Sequence, residues 1–565
     1  MKEEIQYDVI ILGGGLAGLT LSIQLKKSNP EISILVLERR ATEAPAAAHK
    51  VGESTVELGT HYLREILDLK SYLDKKQLPK YGLRFYLTPQ HKEDLTKRVE
   101  IGPRVKLPVP SHQLDRGIFE NELCRITSDL GCKLILGASV KEVNFSDDFH
   151  EVLYSKSGDK FSAKGKWVVD ATGRAGVLKR KLGFQRPLDH DVNAVWFRYN
   201  CVIDVDDWSA DPVWSGQLKP GLRKLGTIHF MDHGYWVWII PLTEGSTSIG
   251  IVADQKLHPF DSLNTHEKAI QWLEKNEPQC AEKFKEKKDD LLDFMILKHY
   301  AHHSGKFYSG ERWGVTGESG AFLDPFYSPG TDFISLSNCW LHDLITRYLS
   351  GEDVSVRSII YERVHTALID NWLPIYQNKY PLMGNTQIMV CKIFWDFATY
   401  WSIQVPIFVN NGFTNIRLLT RLSSESESIF QRLGKLNNQV QNLFVAWSPY
   451  EKETFTHKYF DPLEIDFLKN FQQNIGKKTA TPEELLARLE SNMNVLEKIA
   501  SELFRRVNTV VNNQPYDLVV NPYQMDLSVG PGDGPENLFG TDTLISEDID
   551  KFWMYSFSKD PVITA

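Results

Sequence analysis

Three groups of residues in this 565-residue chain have types and spacings that could do chemistry. The first is Gly13-Gly14-Gly15-Leu16-Ala17-Gly18, with Glu38 twenty positions beyond Gly18. Glycines at Gly13, Gly15 and Gly18 permit a tight turn and a close approach of backbone N–H groups to a pyrophosphate. A carboxylate at that distance meets ribose hydroxyls. The second is Lys80, whose amine titrates closer to neutrality if taken out of water and can then donate a hydrogen bond or act as a nucleophile. The third is Trp236-Val237-Trp238, which sets two indoles on one side of an extended strand. Each has a plainer reading: glycine-rich turns recur by chance, a lone lysine is commonly a solvated surface charge, and alternating tryptophans commonly pack a sheet face.

The surrounding elements decide between these readings. Hydrophobic patterning predicts a strand over Asp8 to Leu12, an amphipathic helix over Leu16 to Lys26, and a second strand over Ile32 to Leu37 that ends on Glu38. Strand, turn, helix, strand and acid in that order specify a dinucleotide-binding unit. Arg39 and Arg40 open an NADP reading, against which the acid at the strand end favours an unphosphorylated ribose. A further strand is predicted over Lys166 to Ala171, ending in Asp170-Ala171-Thr172-Gly173-Arg174, and a strand and helix start within Gly314 to Gly330. The stretch from about 187 to 300 alternates as strands: Ala194 to Tyr199, Gly226 to Phe230, Tyr235 to Pro241 and Ser246 to Val252. From about 351 helical spacing takes over. Thr481-Pro482-Glu483-Glu484 reads as a capping box, followed by Leu485, Leu489, Met493, Leu496, Leu503 and Val507 on one face. Gly530 to Pro535 reads as a loop.

Composition excludes several classes. A net charge of −9 gives no basic footprint for nucleic acid. The six cysteines are scattered without metal-ligand or disulfide spacing, and read as reduced core residues of a cytoplasmic protein with no metal. The start, Met1 to Ile5, leaves no room for a signal peptide before the first strand. Thr386 to Val409 is apolar but contains Lys392, Asp396, Gln404 and Pro406, so a buried amphipathic helix is expected, not a transmembrane segment.

Taken as a set, the glycine turn, Val51-Gly52-Glu53-Ser54-Thr55, Lys80, the Trp-Val-Trp-Ile-Ile-Pro segment and Phe322-Leu323-Asp324-Pro325-Phe326-Tyr327-Ser328-Pro329-Gly330 resemble the flavin-dependent halogenases, within the hydroxylase-type FAD-dependent oxidoreductases, over roughly residues 5 to 350. The resemblance implies an α/β fold. It divides into an FAD-binding Rossmann-like domain (1–186, with a returning segment 305–350), a mixed-sheet substrate domain (187–304) and a mostly helical C-terminal region (351–565) that supplies part of the substrate pocket. It further implies FAD held by Gly13, Gly15, Gly18, Glu38, Asp170, Gly317 and Glu318, the last standing where the family usually has aspartate. Arg116 corresponds to an arginine near the flavin; a salt bridge with Glu120 at i+4 explains it equally well. Lys80 would be the catalytic lysine that accepts oxidised halogen. Trp236, Trp238, Phe322, Pro325 and Tyr327 would wall the channel, with halide at Ser328 and Gly330.

Two departures shape the expectation. Tyr327 stands where tryptophan halogenases carry a glutamate, which points to an activated phenolic or pyrrolic substrate, small or carrier-bound. Pro329 removes an N–H from the turn that binds halide. A separate flavin reductase is the implied partner. A flavin monooxygenase or dehydrogenase on the same scaffold is the alternative, and a non-enzymatic flavin-binding protein a third reading.

Overall fold

The computed structural model describes residues 6–46, 50–87, 89–423, 427–451, 453–456, 458–513, 518–528 and 539–555; the loop expected at 530–535 lies outside them. The first layer is a parallel sheet in the order Lys133–Leu136, Ile34–Glu38, Gln6–Leu12, Asp159–Asp170 and Trp313–Val315, with Tyr308–Ser309 antiparallel at its edge. Val9, Ile10, Ile11 and Leu12 are all fully buried, as the unbroken apolar run of a parallel strand covered on both faces requires.

The helix after the glycine turn spans Leu16–Ser28, and every residue from Leu16 to Lys26 is buried. It is therefore not amphipathic as expected. It lies between the sheet and the helices Arg116–Asp129 and Gly330–Leu349, and its polar side chains are satisfied internally. Thr20 donates to the Leu16 carbonyl, Ser22 to the Leu19 carbonyl, and Asn338 reaches in to the Ala17 carbonyl.

The second sheet is mixed, in the order Leu291–Leu297, Val192–Tyr199, Thr247–Asp254, Tyr235–Pro241, Thr227–Asp232, Leu83–Leu87, Val99–Ile101 and Tyr459–Phe460. Three of its strands come from outside the 187–304 interval: Leu83–Leu87 pairs parallel with Thr227–Asp232, and Tyr459–Phe460 pairs parallel with Val99–Ile101. Along Tyr235–Pro241, Trp236, Trp238 and Ile240 face the main core, while Tyr235, Val237 and Ile239 face a second core. That second core is completed by the helices His266–Asn276 and Pro278–Lys285.

The C-terminal region is built from helices including Ser355–Tyr376, Thr386–Thr399, Ile429–Trp447 and Pro482–Asn512. Thr386–Thr399 is buried on all sides, again without the amphipathic pattern expected, and runs through a π-helical turn at Tyr400–Gln404 into Val405–Val409. Its charges are neutralised inside: Lys392 donates to Asp396 at 2.7 Å. In the capping box at 481–484, the Thr481 hydroxyl accepts from Glu484 N, but the Glu484 carboxylate accepts from Ala480 N, one residue earlier than the pattern implies. Cys124 and Cys201 are half-buried while the other four cysteines are buried, and all six are free. Among the described residues no helix is long and apolar enough to cross a membrane.

Candidate active site

A cavity of about 1080 Å³ opens where the parallel sheet meets the mixed one. Gly13, at φ +110°, makes the first close approach: a Cβ there would stand 2.3 Å from the Ala171 carbonyl oxygen. Gly18 serves the same packing, since its Cβ would stand 2.1 Å from the Gly13 carbonyl oxygen, and it does not itself line the cavity. Gly13, Gly15, Glu38, Arg116, Gly317, Glu318, Trp236, Trp238, Phe322, Pro325, Ser328 and Gly330 do line it. Glu38 accepts from Gly14 N and Arg40 N, both at 2.7 Å, which leaves carboxylate lone pairs for ribose hydroxyls.

Asp170 is elsewhere. Its carboxylate accepts from Thr172 N, the Thr172 hydroxyl and Leu178 N, and it is fully buried behind the cavity wall. The aspartate thus fixes the turn Thr172–Gly176 and does not itself line the cavity. Arg116 pairs with Glu120 at 2.6 Å, as its salt-bridge reading expects, donates to the Val51 carbonyl at 2.9 Å, and lines the cavity. The Glu318 carboxyl is pushed up by desolvation, partly offset by Arg116 and Arg174.

The two tryptophans form one wall. Their rings are 5.6 Å apart; Trp236 donates to the Tyr380 hydroxyl, which donates to Asp324. Trp238 donates to Ser248 and lies across Gly250 on the neighbouring strand, whose missing side chain makes the room.

Lys80 does not line this cavity. It faces a second, smaller pocket of about 80 Å³, together with Glu57, Tyr327, Asp332, Asp396 and Tyr400. Pro329 lines both spaces. Lys80 is 1% exposed and donates to the Ser54 hydroxyl and the Thr55 carbonyl, each at 2.8 Å. Desolvation lowers its pKa to about 7, opposed by Glu57 and Asp332. The same burial raises Asp332 to about 7, while the Tyr400 hydroxyl and Gly59 N bond its carboxylate. Tyr327 donates to Asp396 at 2.8 Å, and Asp396 is held in turn by Lys392 and Gln441. The turn before Pro329 is left-handed at two successive residues, Tyr327 (φ +69°) and Ser328 (φ +61°). It sends Tyr327 to the small pocket and Ser328 to the large cavity.

Several side chains at these sites were not singled out from sequence. Asp396, Glu57 and Asp332 become visible only once helices far apart in the chain meet at Lys80. Lys179, buried in the wall of the large cavity, has no hydrogen-bond partner among the described residues, and its pKa is lowered to about 8 by desolvation. The helix that carries it, Val177–Lys181, follows the Asp170 turn directly, which is the one local signal that could have drawn attention to it.

The residues present fit FAD: a glycine turn opening a helix at the floor of a cavity at the upper end of ligand-site volumes, with an acid at the strand end. No protein-family model matches the chain. Among curated relatives it is 29% identical over 441 residues to the flavin-dependent halogenase chlA of Dictyostelium discoideum, covering 71% of each chain. It is 27% identical over 384 residues to a 1H-pyrrole-2-carbonyl-[peptidyl-carrier protein] chlorinase of Pseudomonas fluorescens, covering 65% of this chain and 82% of that one. Among solved structures, a point mutant of the halogenase PltM in complex with FAD superposes with a TM-score of 0.61 at 18% identity, over 87% of this chain and 96% of that one. Relatives, fold and cavity together show an FAD-dependent, halogenase-like oxidoreductase, similar in sequence to the flavin-dependent halogenases.

Proposed function

We propose that this enzyme halogenates an electron-rich aromatic ring, phenolic or pyrrolic, in the small pocket beside Lys80. Reduced FAD with O2 supplies the oxidising equivalent that turns halide into electrophilic halogen. Gly13, Gly15, Glu38, Gly317, Glu318, Arg116 and Lys179 would hold the cofactor, the last by supplying a cation to the cavity wall. Trp236, Trp238, Phe322 and Pro325 keep the organic substrate away from the flavin. Lys80 receives the oxidant and presents it to the ring, and an amine of pKa about 7 is suited to do so in either protonation state.

Tyr327 donates its proton to Asp396, so its oxygen is free to accept from a phenol O–H or pyrrole N–H. That contact would enrich the ring for electrophilic attack. The chlorinase relative from Pseudomonas fluorescens acts on a carrier-bound pyrrole, which supports a carrier-tethered substrate as one form. A separate flavin reductase and a cytoplasmic setting complete the proposal.

The observation that carries this reading is the burial of Lys80 in its own pocket, separated from the large cavity by Pro329 and Ser54. The test is mass spectrometry of products from enzyme supplied with reduced FAD, O2, bromide, and a panel of phenols and pyrrole-2-carboxyl thioesters. Brominated product in the parent and none in Lys80→Ala is expected, with FAD binding retained in both. Hydroxylated product alone would favour the monooxygenase reading, which draws its support from the N–H that Pro329 cannot offer to halide.

A further inference from the structure

Ser54 stands between the two spaces. Its side chain lines the large cavity, while the lysine it binds lines the small pocket. Ser54 Oγ accepts from Lys80 Nζ at 2.8 Å and lies 2.8 Å from Thr227 Oγ1, which also lines the large cavity. Thr227 Oγ1 in turn accepts from Gln113 Nε2 at 2.9 Å. All four side chains are at least 95% buried. A hydrogen-bonded chain therefore runs Gln113–Thr227–Ser54–Lys80 through the wall. Ser54 is also anchored by its backbone, which bridges to Gln113, and Thr55 N donates to the His112 carbonyl.

We propose that Ser54 is the positioning residue for Lys80, its hydroxyl tying the amine to the wall shared by the two cavities and helping to set whether that nitrogen keeps its proton. The inference rests on Lys80 being the reacting amine. Among the described residues, only two acceptors bind its ammonium, the Ser54 hydroxyl and the Thr55 carbonyl. The charged and titratable groups around the amine come from every neighbouring element. Glu57 and Asp332 favour the ammonium, and His229 is held neutral by burial, near pKa 3. Asp396, Tyr327, Tyr376 and Tyr400 share the pocket. The hydroxyl bonds the charged form, so removing it must move the lysine toward the neutral amine.

The experiment is an NMR titration of FAD-loaded protein carrying [13Cε]lysine, with the Lys80 signal identified by its loss in Lys80→Ala. Ser54→Ala should lower the Lys80 midpoint by on the order of one pH unit, the equivalent of one charge-assisted hydrogen bond. Thr227→Val, which keeps Ser54 but removes its partner, should shift it less in the same direction and serves if Ser54→Ala does not fold. The pH limb of halogenation set by Lys80 should move with the midpoint. A midpoint unmoved in both variants overturns the inference even if the parent halogenates. A midpoint that moves in a parent making no halogenated product upholds the positioning role and overturns only the halogenase reading.

Discussion

Lys80 is a lysine that folding takes out of water, and this costs stability. In the unfolded chain its pKa is near 10.5, and in the fold it is about 7. Between those values the unfolded state binds more protons than the folded one, so this residue makes stability rise with pH across that window, and its penalty is full at pH 7 and below. Lys80→Met keeps the length of the side chain and drops the charge. Glu57 and Asp332, both pushed toward the neutral acid by burial, then lose the neighbouring cation that opposes this, which favours their protonated forms. The variant is expected to melt at a higher temperature than the parent at pH 7, by a margin that shrinks toward pH 10, while making no halogenated product. A lower melting temperature at pH 7 would mean that the bonds to Ser54 and Thr55 outweigh the desolvation. Stability surrendered at a reacting group is a common trade in enzymes.

The start of the helix Gly330–Leu349 is the element we propose for halide binding. Its first N–H groups have no intrahelical partner, and a Cβ at Gly330 would meet nothing within 4 Å. Pro329 precedes them with φ −78° and ψ −5°, angles open to any residue, but without an N–H of its own. Pro329→Thr restores that donor, and should tighten halide binding by about ten-fold, the worth of one hydrogen bond to an ion. The apparent KM for bromide measures this, with FAD affinity unchanged as the control. An unchanged KM would place the halide elsewhere. Elements of this kind were legible where local pattern controls them. The glycine turn and its flanking strands declared themselves, and so did Pro482–Asn512, whose six marked apolar residues are all buried; its other face is exposed over the first half, whereas Ile499 to Asn508 are buried on every side. Helices Leu16–Ser28 and Thr386–Thr399 misled because burial on every side erases the periodicity that amphipathic reasoning needs. Asp170 is a different case: motif position puts it among the cofactor residues, while in the fold its carboxylate bonds the turn that follows and stands behind the cavity wall.

At the scale of the whole molecule the small pocket is assembled from segments hundreds of residues apart, and for that reason its membership could not be read locally. Asp396, Phe397, Tyr400 and Trp401 form one side of it. Gln472 and Trp401 both donate to Glu57, and Tyr459–Phe460 adds the edge strand beside Val99–Ile101. A chain ended at residue 350 would return Lys80 to solvent and an ordinary lysine pKa. It should therefore lose halogenation even where FAD still binds, as activity assays and flavin fluorescence on the truncated protein would register. Full activity without residues 351–565 would refute the part given to the helical region.

The pairing of Trp238 with Gly250 has a consequence of its own. A methyl group at 250 would lie 2.2 Å from the indole. The ring lines the large cavity, so any shift of the indole toward that side takes space from it. The capacity of the cavity is thus metered by a single absent carbon on the adjacent strand, at a position that does not itself line it.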